Sequence, residues 1–232
     1  KALGADQMTS ELLSVFIRER EKAVTGLLRS HAGRSSFIAA LENQDRTSLR
    51  RHLAELKKNP EIDLAIVTDA RGVVQTQSPL SQTAQGNNVS AQKWFKTAVS
   101  QNQPCASSLI QSPAPNLPPA VIICAPLKNA RDELVGILAG VQRLDFIASE
   151  IEKLQLGAQA GITVIDASGH MFFSNRHPYI NGLSSYPEST RALQALRDHH
   201  RQIIIDSGSH FSTPAYLSLS VVENTEIGRA HV

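Results

Sequence analysis

A chain of 232 residues with 41% hydrophobic and 19% charged side chains can build one large or two small cores, which excludes a disordered or fibrous architecture. Its 23 basic and 21 acidic residues, spread along the chain to a net charge of +2, leave no electrostatic footprint for nucleic acid. Its apolar runs, as at 120–127 and 134–141, fall well short of the roughly 20 residues of a membrane helix.

Residues 5–31 place Met8, Leu12, Leu13, Phe16, Ile17, Val24, Leu27 and Leu28 near helical spacing around the charge run 18–22, without proline. The pattern predicts one long helix of roughly 40 Å, suited to a stalk leaving a membrane; a coiled-coil or packing helix of a soluble dimer fits it almost as well. Shorter helices follow at 36–41 and 46–58, the second with Leu49, Leu53 and Leu56 on one face and Asn59-Pro60 as its stop.

The period then changes. Residues 62–68 read as a strand, Asp69-Ala-Arg-Gly72 as a tight turn and 73–77 as the hairpin partner. Aspartate can accept from the backbone two residues on, and glycine can take the positive φ such a turn needs. A polar loop runs to Asn88, and Ser90 is expected to cap a helix carrying Trp94, Phe95 and Val99. Strands at 105–111, 120–127 and 134–141 form a meander across the Pro-rich connector 113–119 and a turn at 129–133, and a helix at 144–154 closes the module.

Almost 100 residues on, the pattern restarts. A strand at 162–165, Asp166-Ala-Ser-Gly169 and an apolar strand at 171–173 echo the first hairpin. A helix at 187–198 and strands at 202–206 and 216–222 complete a smaller copy. Two such turns in equivalent contexts predict a duplicated fold. The first residue is Lys1 instead of Met, so the chain is expected to begin inside a longer reading frame or after processing, and 226–232 resembles the in-frame translation of a sequencing adapter. That tail is expected to be non-native.

The order of elements resembles the double Cache family of extracytoplasmic sensors, over nearly the whole chain. Its sharpest pieces are Val89-Ser-Ala-Gln-Lys-Trp-Phe-Lys96, similar to the family's aromatic-pair helix start, and Leu134-Val-Gly-Ile-Leu-Ala-Gly140, similar to its glycine-rich last strand. The resemblance implies a periplasmic sensor between two membrane helices, feeding a histidine kinase, a chemoreceptor signalling domain or a cyclic-dinucleotide enzyme. It also implies a small-molecule pocket in the membrane-distal module, with Trp94 and Phe95 at the aromatic-pair positions. Gln92 stands where amino-acid-binding members place an arginine, and Val141 stands close to their ammonium-binding aspartate. A neutral amide cannot reproduce a guanidinium's bidentate grip and valine cannot pair with an ammonium, so ordinary α-amino acids are not expected to bind by that scheme.

Read without the family, Trp94 is equally a core aromatic. Ser107 and Ser108 are candidate ligand contacts, but only one of two adjacent strand residues points inward. If the hairpin around 113–119 is symmetric, Cys105 and Cys124 fall opposite one another within disulfide range, whereas a one-residue shift puts them on opposite faces. His177, His199, His200 and His210 form the densest histidine group; adjacent histidines on a helix diverge by about 100°, with no carboxylate or cysteine at ligand spacing, and no metal is assigned. No nucleophile elbow, zinc-helix signature, phosphate loop or dinucleotide fingerprint nominates a catalytic residue or a cofactor.

The expected fold class is α+β: a long helix at 1–32, a membrane-distal PAS-like module at 33–155 and an incomplete membrane-proximal one at 156–225. The expected function is sensing of an unidentified small molecule by the periplasmic part of a membrane-anchored receptor, with possible homodimerisation through the N-terminal helix and no enzymatic activity of its own. The alternative is a soluble or secreted binding module without signalling output.

Overall fold

The computed structural model describes residues 2–81, 84–107 and 120–143, together with Ser149, Lys153 and the short strands 163–165, 171–174, 205–206 and 216–217. Within the first helix, side chains are described at residues 15 and 16 and from 19 onward; in the strands after residue 160, only the backbone is described.

Helix α1 spans Ala2–Ala32, α2 Ser35–Glu42 and α3 Arg46–Leu56. Asp45 starts α3, its Oδ1 accepting from the Thr47 and Ser48 N–H groups at 3.1 Å each. Strands β1 (Leu64–Asp69) and β2 (Val74–Ser78) form the first hairpin, α4 (Lys93–Gln101) follows, and β3 (Cys105–Ala106), β4 (Ala120–Lys128) and β5 (Leu134–Arg143) complete a five-stranded antiparallel sheet in the order β2-β1-β5-β4-β3. Beyond it lie two two-stranded pairs, β6 (Thr163–Ile165) with β7 (Met171–Ser174) and β8 (Ile205–Asp206) with β9 (Tyr216–Leu217). The helix expected at 187–198, the connector 113–119, the histidines from 177 onward and most of the helix expected at 144–154 lie outside the described residues.

The turn chemistry is as the sequence requires. Asp69 Oδ1 accepts from the N–H groups of Arg71 and Val73, both at 2.9 Å, and Gly72 takes φ +84°. A Cβ on Gly72 would stand 2.8 Å from the Ser90 backbone nitrogen, so the turn is locked against the loop that leads into α4. This packing corrects one expectation: Ser90 does not cap α4. It sits in the preceding turn, its N–H donating to Asn88 Oδ1 at 2.8 Å, and Gln92 occupies the N-cap without a side-chain bond.

The repeat extends to hairpin register. Ile66 pairs with Gln77, Val67 with Thr76 and Thr68 with Val74, the last step skipping a residue. Thr163 pairs with Ser174, Val164 with Phe173 and Ile165 with Met171, with the same skip. Each pair in the second hairpin is the first displaced by 97 residues, β-bulge included.

Alternation along β5 gives the sheet two different faces. Leu138 joins Val24, Leu28, Phe37, Leu49, Leu53, Ala65, Val67, Ile123 and Leu127 under α1, α2 and α3, whereas Ile137 and Ala139 join Trp94, Phe95, Ala98, Ile122 and the two cysteines under α4. The last two turns of α1 are therefore part of this core: Val24, Leu28 and Ala32 are buried.

Where α1, α2 and α3 meet, His31 and His52 are both buried, and the His52 ring stacks on Phe37 with centroids 5.0 Å apart. Burial lowers both histidine pKa values below the ordinary 6.5. Arg34, ion-paired to Glu55 at 2.9 Å, pushes them further down, as do His52 for His31 and Arg51 for His52; Glu55 opposes this. A histidine whose folded pKa is depressed favours the fold while neutral. The contribution is complete above the unfolded pKa of 6.5 and is lost as pH falls from there towards the folded value. Melting temperature should therefore be flat from pH 8 to 7 and fall from about pH 6.5 downward, a fall that His52→Phe should shrink. An unchanged melting curve between pH 7 and 5 would contradict the neutral burial of this pair.

Candidate functional site

The candidate site is the sheet face beneath α4. Helix α4 is amphipathic: Trp94, Phe95 and Ala98 point inward, and Lys93, Lys96 and Ser100 are exposed. Trp94 and Phe95 meet edge to face, centroids 5.8 Å apart at 81°, and both are buried. The helix ends at Asn102, whose φ of +52° and N–H bond to the Ala98 carbonyl form a left-handed cap. Below lie Ile66 of β1, Ile122 and Cys124 of β4, Ile137, Ala139 and Val141 of β5 and Cys105 of β3. Val141 is half-buried, paired with Leu64 and Ile122.

Polar groups border this apolar floor. Thr68 pairs with Ile137 and shares its face; it is fully buried and its hydroxyl has no hydrogen-bond partner. Thr76 is likewise buried without a hydroxyl partner, but it pairs with Val67 on the face covered by α1 to α3. Ser107 is half-buried and bound to the β4 backbone: its N–H donates to the Ile122 carbonyl at 2.7 Å, and its hydroxyl accepts from the Ile122 N–H at 3.0 Å. At the end of β5, Arg143 is held by Asp63, which accepts from its Nε at 2.9 Å and its backbone N–H at 2.8 Å. The body of the face thus carries no formal charge among the described residues.

The structure brings Trp94, Phe95 and Val141 together with the two cysteines, whose register is Cys105 opposite Cys124. Both are free thiols and fully buried. They lie within hydrogen-bonding reach: the Cys124 thiol bonding to Cys105 lowers the Cys105 pKa, and burial pushes Cys124 well up. Gln92 is not part of this cluster; it stands exposed at the N-cap of α4. Ser108 lies outside the described residues. Ser90 and Lys93 stand at Ser-x-x-Lys spacing, but no hydrogen bond joins them among the described residues, and Lys93 is exposed at the surface end of α4. Thr68 escaped the sequence reading, although its alternation with Val67 in a buried strand is a signal that could have found it.

No family model and no curated protein matches this chain. Solved structures do. The ligand-binding domain of the Pseudomonas fluorescens chemoreceptor CtaA, in complex with L-isoleucine, superposes with a TM-score of 0.65 at 17% identity, covering 95% of this chain and 93% of that one. An extracellular ligand-binding receptor from Desulfohalobium retbaense gives 0.67 at 15% identity over 91% of this chain, which spans only 39% of that receptor's length. The periplasmic sensory domain of the Campylobacter jejuni chemoreceptor Tlp1 gives 0.59 at 10% identity, covering 82% of this chain and 79% of that one. At such identities the likeness is one of fold: the α+β, PAS-like architecture of periplasmic ligand-binding domains, which the double Cache resemblance implies.

Proposed function

We propose that this chain, which carries the fold of periplasmic ligand-binding domains, is the extracytoplasmic sensing part of a transmembrane receptor. In this reading its ligand is an uncharged small molecule held against the sheet face beneath α4. The observation that supports it most is the face itself: an aromatic pair over Ile66, Ile122, Ile137, Ala139 and Val141, with the buried Thr68 hydroxyl, among the described residues, as the one unpartnered polar group beside it. A charged ligand would need a counter-charge there, because an unpaired charge is expensive to bury. Arg143 is engaged by Asp63, Gln92 is exposed and neutral, and Val141 cannot hold an ammonium. The CtaA domain crystallised with L-isoleucine; the scheme by which relatives are expected to grip an α-amino acid is not reproduced at these two positions.

Residues up to 143 would then form the membrane-distal module, and the β6–β7 hairpin would begin the membrane-proximal copy. No helix among the described residues is long and apolar enough to cross a membrane, so anchoring segments would lie elsewhere in the protein. Ligand occupancy favouring one arrangement of the sheet would shift α1, which packs on β4 and β5, and α1 would carry the shift onward. The receptor's output, as kinase, chemoreceptor or cyclic-dinucleotide enzyme, belongs to the same proposal.

The test is a thermal-shift screen against uncharged aromatics, alcohols, amides, purines, sugars, carboxylates and amino acids. A compound at about 100 times its Kd should raise the melting temperature by roughly 5–10 °C. Thr68→Val should leave the unliganded protein as stable or slightly more so, because a buried hydroxyl without a partner is replaced by an isosteric methyl, while weakening the hit roughly tenfold. A zwitterionic amino acid that stabilises the protein, undiminished in Thr68→Val and lost in Gln92→Ala, would overturn the assignment.

A further inference from the structure

We propose that Cys105 and Cys124 are a disulfide-forming pair that tethers the edge strand β3 to β4 beneath α4. The two residues are register partners in an antiparallel ladder. Two positions along, beyond Ala106 and Ile123, the Ser107 N–H donates to the Ile122 carbonyl, and the alternation of an antiparallel ladder then makes the cysteines a hydrogen-bonded pair too, with Cα atoms about 5.5 Å apart. That separation lies at the centre of the range that cystines adopt, and side chains of directly opposed residues leave the sheet on the same face. Both thiols sit in the cluster with Trp94, Phe95, Ala98 and Ile122.

The fold also gives the bond something to do. Among the described residues strand β3 is two residues long and lies at the sheet's edge, paired with β4 alone, while the other four strands are stitched by ladders of four to nine pairs. A cystine would fix this edge and close a loop of about 18 residues between the two strands, the range in which a cross-link strongly restricts the unfolded chain.

The chemistry is thiol–disulfide exchange with a small-molecule or protein disulfide as oxidant. The Cys105 sulfur, the readier to ionise of the two, attacks one sulfur of that disulfide and releases the other as a thiolate. Cys124 then attacks the Cys105 sulfur of the mixed disulfide and expels the oxidant's second thiolate. One S–S bond has formed and one has broken; the two protein thiols are oxidised, the donor is reduced to two thiols, and the protons leave with it. Both cysteines are buried, so exchange should be fastest during folding or while the β3 edge is open.

The experiment uses the full chain and oxidised glutathione as the probe. The protein is refolded in mixtures of oxidised and reduced glutathione, acid-quenched, denatured without reductant and titrated for free thiols, and its mass is measured. The expected result is no free thiol, a mass lower by two hydrogens and a Cys105–Cys124 cross-linked peptide. The oxidised protein should melt roughly 5–10 °C above the same protein in reductant. Because the comparison is made on one sequence, no variant has to fold; Cys124→Ser serves only to confirm that the redox-dependent shift disappears. Two free thiols under the most oxidising buffer, glutathione adducts without an intramolecular bond, or cross-links only between chains would each overturn the proposal.

Discussion

Gly136→Ala should be the most damaging small substitution in the described fold, lowering the melting temperature by more than roughly 10 °C or preventing folding. Gly136 lies in β5, between Asp69 of β1 and Leu127 of β4. A Cβ built there would stand 2.1 Å from the Thr68 carbonyl oxygen and 2.7 Å from Leu41 Cδ2. The leucine tip can move, but the carbonyl belongs to the neighbouring strand. To admit even a methyl group, β1 must pull away from β5 at the position where Thr68 faces Ile137, and buried backbone bonds would be lost with it. Two other glycines serve as controls. A Cβ on Gly26 meets nothing within 4 Å, so Gly26→Ala should stabilise α1 by about 0.5–1 kcal/mol through helix propensity. Gly86 is equally open but has φ +83°, so Gly86→Ala should lose about 1 kcal/mol to backbone strain. Denaturant midpoints on the three variants would separate steric exclusion, propensity and strain; a Gly136→Ala protein as stable as Gly86→Ala would mean that β1 and β5 are not paired in this register.

The same glycines mark how far the sequence can be read. The glycine-rich strand at 134–140 stood out only as a family likeness, because nothing in a linear pattern says which neighbour a missing side chain makes room for. The strands themselves were legible, since runs of β-branched and apolar residues between turn signals have few other interpretations: β4 and β5 lie within a residue or two of their expected bounds. So was the Asp69 turn, where side-chain chemistry and conformation are both local. Ser90 misled because the residue types that favour an N-cap also favour turns; the close approach of Gly72, nearly twenty residues away, decides which it becomes. The cysteine register was open for a related reason. Hairpin symmetry cannot be deduced across a Pro-rich connector, and a slip of one residue would have sent the thiols to opposite faces. Trp94 and Phe95 were readable as a pair, but their pairing with an uncharged floor is a property of three strands together.

Leu28→Ala should remove about 3 kcal/mol of stability, and Gly140→Ala should recover part of that loss, although alone it is neutral or mildly destabilising. Leu28 is fully buried in α1, and a Cβ on Gly140 would meet its Cδ1 and Cδ2 at 3.3 and 3.4 Å and Ile62 Cδ1 at 3.7 Å. The contact is tight but falls on the flexible end of a side chain, so the methyl is accommodated by a few tenths of an ångström of give. With Leu28 truncated, the same methyl enters the space the leucine left, and its sign reverses. A double-mutant cycle read from denaturant midpoints should show a coupling of about 1 kcal/mol or more; additive effects would mean that α1 does not rest on β5 at this point. The seam bears on signalling because Gly140 sits in mid-sheet, paired with Ala65 and Ile123, while its neighbours Ala139 and Val141 point to the opposite face, under α4. A ligand that displaces β5 from that side must move the surface on which Leu28 rests. Further along α1, Arg20 is ion-paired to Glu61, which also accepts from Gln142 Nε2 at 3.1 Å, so the helix is fixed to the same strand by a second, polar contact. If α1 carries the signal, Leu28→Ala in the intact receptor should uncouple output from ligand at concentrations where thermal shift still shows the site occupied. A Gly140→Ala protein with normal stability should shift the basal output instead, because it displaces the Leu28 side chain, on which α1 rests, by the few tenths of an ångström that a bistable packing can amplify.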